Sequence, residues 1–296
     1  MERTGLNKLK PWIQASRPPF YIATLIPLFI GLLMAQVPRH AGRFLLILAG
    51  SFFVHLATNL ANDYFDHARG TDSGEAIGGS RVIQEGKISP KTLLRVIILL
   101  YCLSFAIAFI IMLGFDLFVL FPVVLFAAFS SFFYVAPPFR YGYYGLGELF
   151  VGINMGPIMV VGTYWVIAGH FDRMPLYVSI PVGLMVASIL YFQSLPDMKT
   201  DLAAGKHTLA VVLGKPGAFI VLILFWVLIY VAIVVLMCAG LLSWPALFFL
   251  TSVPVFVKMI RIVKTTEDWV LLDRHGKYVR ILYGLSGIAI ILGVIA

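Results

Sequence analysis

Runs of apolar residues recur along the whole chain at lengths close to the ~20 residues that a helix needs to cross a bilayer. They lie at 19–37, 44–62, 93–113, 116–135, 147–168, 175–195, 216–238, 241–260 and 279–296. None shows the short polar–apolar alternation of a membrane β-barrel strand. The pattern predicts an all-α, polytopic membrane protein with nine transmembrane helices, forming a single domain over residues 1–296. The segment from Glu2 to Gln14 is polar and basic, and no small-residue cleavage site follows the first apolar run. The first helix is therefore expected to be retained in the fold rather than removed as a leader.

Composition agrees with that pattern. Sixty percent of residues are hydrophobic and 12% are charged, about half the charged share of a soluble domain. Cys102 and Cys238 fall within or at the edge of apolar runs, where thiols act as small hydrophobes, so neither a disulfide nor a thiolate metal site is expected. The net charge of +8 alternates from loop to loop instead of forming one patch, which excludes nucleic acid as the partner and leaves the lipid bilayer. With nine spans, every Lys and Arg except Arg39, Arg43 and Arg173 falls on one side. The positive-inside rule assigns that side to the cytoplasm of a cell (inner) membrane. The N-terminus and the large loops at about 63–92 and 196–215 are then cytoplasmic.

The acids share this sidedness, in two clusters that each follow an apolar span. The first runs from Asn59 through Asn62, Asp63 and Asp66 to Asp72, with Asn59, Asp63 and Asp66 spaced i, i+4, i+7. At 3.6 residues per turn these three are expected to project from one helix face, with Asn62 and Asp66 on the adjoining edge. The second cluster places Asp197 and Asp201 at i, i+4. Any single one of these aspartates reads most simply as a solvated loop residue. Two clusters on facing loops read as a site, because packed carboxylates repel and a divalent cation removes the cost. Oxygen-only ligation suits Mg2+, which keeps water and substrate phosphate oxygens in its shell. Arg81, Lys87, Arg140 and Lys206 lie on the same side in the loops after the second, fourth and sixth spans, where they could neutralise phosphate oxygens. Gly86-Lys87 and Gly205-Lys206 lack the upstream glycine and the following Ser or Thr of a nucleotide-binding loop.

The string Asn62-Asp63-x2-Asp66-x5-Asp72, paired with Asp197-x3-Asp201, resembles the two aspartate motifs of the UbiA superfamily of intramembrane prenyltransferases. Ala15-Ser16-Arg17-Pro18, Tyr134-x2-Pro137-Pro138-Phe139-Arg140, Gly145-Leu146-Gly147-Glu148, Gly162-Thr163-Tyr164 and Ala204-Gly205-Lys206-His207 extend the resemblance over nearly the whole chain. It implies nine helices around a central cavity and Mg2+-dependent transfer of a polyprenyl group from an allylic prenyl diphosphate to an aromatic acceptor. Asp63, Asp66, Asp72, Asp197 and Asp201 would be the metal ligands and Asn62 a further catalytic residue. Arg17, Arg81, Lys87, Tyr134, Arg140 and Lys206 would contact the diphosphate.

The Asp66–Asp72 gap, Gly-Leu-Gly-Glu and Gly-Thr-Tyr-Trp resemble the 1,4-dihydroxy-2-naphthoate polyprenyltransferases of menaquinone synthesis. Gln193-Ser194-Leu195-Pro196 is instead similar to homogentisate-type enzymes, which keeps homogentisate, 4-hydroxybenzoate and a glycerol phosphate ether as alternative acceptors. Tyr64, Phe65, Tyr134 and Tyr164 are the rings expected to shield an allyl cation. A secondary transporter is the rival from another class, and it would carry its acids near the bilayer midplane.

Overall fold

A computed structural model of the chain describes residues 5–36, 41–70 and 78–296. The elements run α1 (Gly5–Ser16), α2 (Tyr21–Met34), α3 (Ala41–Arg69), α4 (Pro90–Gly114), α5 (Phe121–Phe132), α6 (Gly147–Ile153), α7 (Met159–Ala168), α8 (Met174–Ser194), α9 (Met198–Ala203), α10 (Leu209–Cys238), α11 (Val253–Thr265) and α12 (Gly276–Ile295). Among the described residues eight segments are long and apolar enough to cross a membrane, and Phe118–Phe132 is a shorter apolar helix at the predicted fourth position. The chain is a multi-pass membrane protein.

Local chemistry sets the helix ends. Arg17 adopts a left-handed backbone (φ 51°) before Pro18-Pro19, which separates α1 from α2. Ser89 caps α4 by accepting from the Thr92 N–H at 3.2 Å, and Pro90 follows at a position where no N–H is needed. Pro157, which lacks an N–H, lies in a π-helical turn over Asn154–Ile158 that joins α6 to α7.

The largely apolar α8 is the most enclosed of the membrane-length segments. It packs against α6, α10 and α12. Lipid tails are as apolar as leucine, so helix association here depends on close packing. Gly152 and Gly156, one turn apart, meet Gly183 of α8, and a Cβ on Gly156 would come within 2.7 Å of Gly183 backbone atoms. The periphery presents Leu99, Phe109, Ile110 and Leu113 of α4 and Ile220, Leu224, Leu228 and Val231 of α10, a surface matched to hydrocarbon.

Candidate active site

Beyond Leu46, Ile47 and Gly50, the residues of α3 that line cavities are Ser51, Val54, His55, Thr58, Asn59, Asn62 and Asp66, a stripe at helical spacing. This corrects the expected grouping of Asn59, Asp63 and Asp66. Asn62 and Asp66 form the cavity face, whereas Asp63 lies on the adjoining edge. There Asp63 is committed to the chain itself, accepting from the Arg17 guanidinium, the Ser80 hydroxyl and, at 3.0 Å, the Ser80 N–H. Gln14 draws the same strand of loop inward, donating to the Ser80 carbonyl at 2.7 Å. Asp72 lies outside the described residues.

Asp66 is buried at the end of α3, and its Oδ1 accepts from the Tyr143 hydroxyl. The Lys206 ammonium stands 3.6 Å from Asp66 Oδ2 and 3.5 Å from Asp201 Oδ1. The two aspartate clusters therefore converge on one cation, which joins α3 to α9. Tyr143 is itself held between Arg69, whose guanidinium carbon is 4.6 Å from the ring centre, and Lys206 at 5.3 Å. Burial, reinforced by Asp197 and Asp66 and opposed by Lys206, pushes the Asp201 carboxyl up to about 7. Burial works against the Lys206 charge, yet Asp66 and Asp201 raise its pKa overall. Asp197 accepts from the Gly78 N–H at 3.2 Å, and a Cβ on Gly78 would come within 2.7 Å of that carboxylate.

Two cavities meet at this end of the bundle. A polar cavity of about 640 Å³ is lined by Asp66, Asp197, Asp201, Lys206, Glu148 and Ser80, among others. An apolar cavity of about 410 Å³ runs between α3, α4 and the α6–α7 segment. Arg17, Phe20, Asn62, Tyr134, Leu190 and Gln193 line both. Tyr134 is wedged so tightly that a Cβ on Gly142 or Gly147 would stand 2.8 or 3.1 Å from its ring. Burial raises the Tyr134 phenol, with Lys206 pulling the other way, so the hydroxyl stays neutral and able to donate.

Arg81, Lys87 and Arg140 stand outside the walls of both cavities. Lys87 is held by Glu85 at 2.5 Å and by the Gln14 Oε1 at 2.7 Å. Arg140, at φ 45°, begins a short 3-10 turn that sends Tyr141 and Tyr143 inward instead. Of the four rings expected to shield a cation, Tyr134 alone lines a cavity. Tyr64 and Phe65 pack beside the core around Leu60 and Leu93. Tyr164 bonds His170 at the opposite end of the bundle, 3.1 Å away. Phe20, Tyr101, Phe105 and Tyr141 are the other rings of the apolar cavity.

Sequence reasoning missed Ser80, Tyr143, Glu148 and Arg280 as cavity-facing or aspartate-holding residues. Glu148 carried a signal, as an acid two residues into an apolar span. Tyr143 carried none.

The residues present fit Mg2+. Asp66 and Asp201 point their oxygens at a common cation position, and Lys206 fills it. Among the described residues no group of three or more His, Cys, Asp or Glu could enclose a metal unaided. That suits an ion completed by phosphate and water oxygens rather than a closed protein cage.

Comparison with known proteins places the chain in a family. A 1,4-dihydroxy-2-naphthoate octaprenyltransferase of Haemophilus influenzae is 32% identical over 264 residues, covering 85% of each chain. A 2-carboxy-1,4-naphthoquinone phytyltransferase of Synechocystis is 30% identical, covering 88% of this chain and 84% of that one. Among solved structures, a UbiA homologue from Aeropyrum pernix superposes with a TM-score of 0.71 at 17% identity, over 92% of this chain and 96% of that one. A UbiA homologue from Archaeoglobus fulgidus bound to GPP and Mg2+ superposes with a TM-score of 0.61 at 15% identity, over 95% and 99%. Residues 24–269 match the UbiA prenyltransferase family, and the chain, a prenyltransferase, belongs to that family.

Proposed function

We propose that this protein transfers a polyprenyl group from an allylic prenyl diphosphate to 1,4-dihydroxy-2-naphthoate, with loss of the ring carboxylate as carbon dioxide, in a Mg2+-dependent reaction. The observation that carries this reading is the junction of two unlike cavities. An acid- and lysine-lined chamber matches a metal diphosphate, and it shares six residues with an apolar chamber matched to an isoprenoid tail. The dihydroxynaphthoate and carboxynaphthoquinone enzymes among the relatives support the choice of acceptor. The positive-inside distribution supports an inner-membrane location with the aspartates on the cytoplasmic side.

Asp66 and Asp201 would hold Mg2+, with Asp197 beside them. When bound, the metal supplies Lewis-acid neutralisation of the diphosphate as its bond to the allylic carbon breaks. Lys206 adds a positive charge beside that site, and the Tyr134 hydroxyl donates a hydrogen bond toward the leaving oxygens at the junction. Arg17 keeps Asp63 and, through it, the Ser80 segment in position. The allylic carbon then lies at the boundary between chambers, where Phe20 and Tyr134, with Tyr101 and Tyr141 of the apolar chamber beyond, exclude water and face a developing cation with their ring quadrupoles. The electron-rich acceptor ring forms the new carbon–carbon bond there.

The test is product analysis by mass spectrometry after incubating purified protein with Mg2+, geranylgeranyl or longer diphosphates and a panel of dihydroxynaphthoate, 4-hydroxybenzoate, homogentisate and a glycerol phosphate ether. The expected product is the prenylated naphthalenediol lacking the carboxylate, abolished by EDTA. Product from another acceptor alone would overturn the acceptor assignment.

A further inference from the structure

Three cations line the polar cavity among the described residues: Arg17, Lys206 and Arg280. Arg17 is paired with Asp63, and Lys206 with Asp66 and Asp201. Arg280, in the first turns of α12, takes part in no ion pair within 4.0 Å among the described residues. Asp273 also lines the cavity, beyond that reach. The Arg280 guanidinium carbon instead lies 5.2 Å from the centre of the Phe20 ring. Its other support is Gly276, one turn earlier, where a Cβ would stand 3.3 Å from Arg280 Nη1. A ring on one side and a bare helix turn on the other flank the guanidinium and limit where it can move.

The position of this fork is informative. Phe20 is one of the six residues shared by both cavities, so Arg280, which lines the polar cavity, stands beside the boundary between the chambers. A prenyl diphosphate that runs its tail into the apolar chamber and its phosphates toward Asp66 and Asp201 brings its allylic carbon to that boundary. An acceptor ring must reach the same place. Asp273 offsets the Arg280 charge only from beyond ion-pair distance, so the guanidinium keeps its donors for a ligand, and a planar, bidentate donor is matched to a carboxylate.

We propose that Arg280 binds the carboxylate of the aromatic acceptor, against the Phe20 ring, and thereby selects aromatic acids over neutral phenols. This deepens the reading of the function given above and rests on it for the acceptor class. Arg280 is a specificity-determining residue here, separate from the lysine and aspartates that face the diphosphate.

Equilibrium binding to the full-length protein in detergent tests it without requiring turnover. The probes are 1-hydroxy-2-naphthoate, its carboxylate-free counterpart 1-naphthol, and inorganic diphosphate with Mg2+. The unsubstituted protein is expected to bind the naphthoate more tightly than the naphthol. Arg280→Gln should weaken naphthoate binding roughly 10–100-fold, the range of a charge-assisted bidentate contact, and leave naphthol and Mg2+–diphosphate binding within about twofold. Arg280→Lys should recover part of the loss. Phe20→Leu, which keeps the charge but removes its platform, should give an intermediate loss and carries the test if Arg280→Gln does not fold. Unchanged naphthoate binding in these variants, an equal loss of Mg2+–diphosphate binding, or no preference for naphthoate over naphthol in the unsubstituted protein would each overturn the proposal. Arg280-dependent naphthoate binding without prenylated dihydroxynaphthoate would refute the assigned reaction and leave this site standing.

Discussion

Replacing Lys206 with Met removes the cation on which the two aspartate clusters converge and leaves a side chain of similar length. With the ammonium 3.6 Å from Asp66 and 3.5 Å from Asp201, each attraction amounts to about 5 kcal/mol at an effective dielectric of ~20. Most of that sum is offset by the cost of taking Lys206 and both carboxylates out of water, because the lysine side chain is only 17% exposed. Breaking such a pair by deleting one partner leaves uncompensated buried charge, and the net cost is about 3–5 kcal/mol. Metal-free Lys206→Met should therefore melt several degrees below the unsubstituted protein. Mg2+ with inorganic diphosphate supplies positive charge at the same point, so it should raise the melting temperature of the variant more than that of the parent. Activity should still fall, by roughly 10²–10³ in kcat/KM, because a fixed charge facing the leaving group is lost. Differential thermal melting with and without Mg2+–diphosphate, together with initial rates, gives all three quantities. A variant with parental melting temperature and parental kcat/KM would refute the reasoning.

Three further outcomes follow from the same geometry. Tyr143→Phe deletes the hydroxyl that Asp66 accepts from; it should lower stability by about 1.5–3 kcal/mol, the range for a hydrogen bond to a charged group, measured by chemical or thermal unfolding. Asp201 has a pKa raised from 3.8 to about 7, so the folded, metal-free protein binds more protons than the unfolded chain between these values. Its stability should fall as pH rises across that interval and level off above it, whereas Mg2+ affinity, which needs the carboxylate, should weaken by up to tenfold per unit below about pH 7. Titrations of Mg2+ from pH 5.5 to 8 check the sign, and Asp201→Asn should flatten the profile. Gly156→Leu forces a side chain to within 2.7 Å of the Gly183 backbone and should cost several kcal/mol or abolish folding, seen as loss of a monodisperse peak in detergent.

The sequence alone carried the helices and their order. Bilayer thickness imposes a length on each apolar span, and helical periodicity and charge bias leave a linear record. Where a fourth span was expected over 116–135, the chain has a shorter apolar helix, Phe118–Phe132. Asp66, Asp201 and Lys206 were also legible as members of one site, because each follows or precedes an apolar run on a common side. Which partner each residue meets was decided by the tertiary structure. Asp63 and Asp66 are three residues apart, yet the roll of α3 directs one toward Arg17 and Ser80 and the other into the cavity. Lys87 and Lys206 both follow a glycine in an acid-bearing loop, but Lys87 is captured by Glu85 and Gln14 while Lys206 reaches both clusters. Tyr143 and Arg280 enter the site from segments with no acidic motif, brought in by helix packing across some 80 and 210 positions of chain from Asp66. Periodicity fixes which residues share a face of one helix. Which neighbour that face meets depends on contacts between helices distant in sequence, and no local pattern records them.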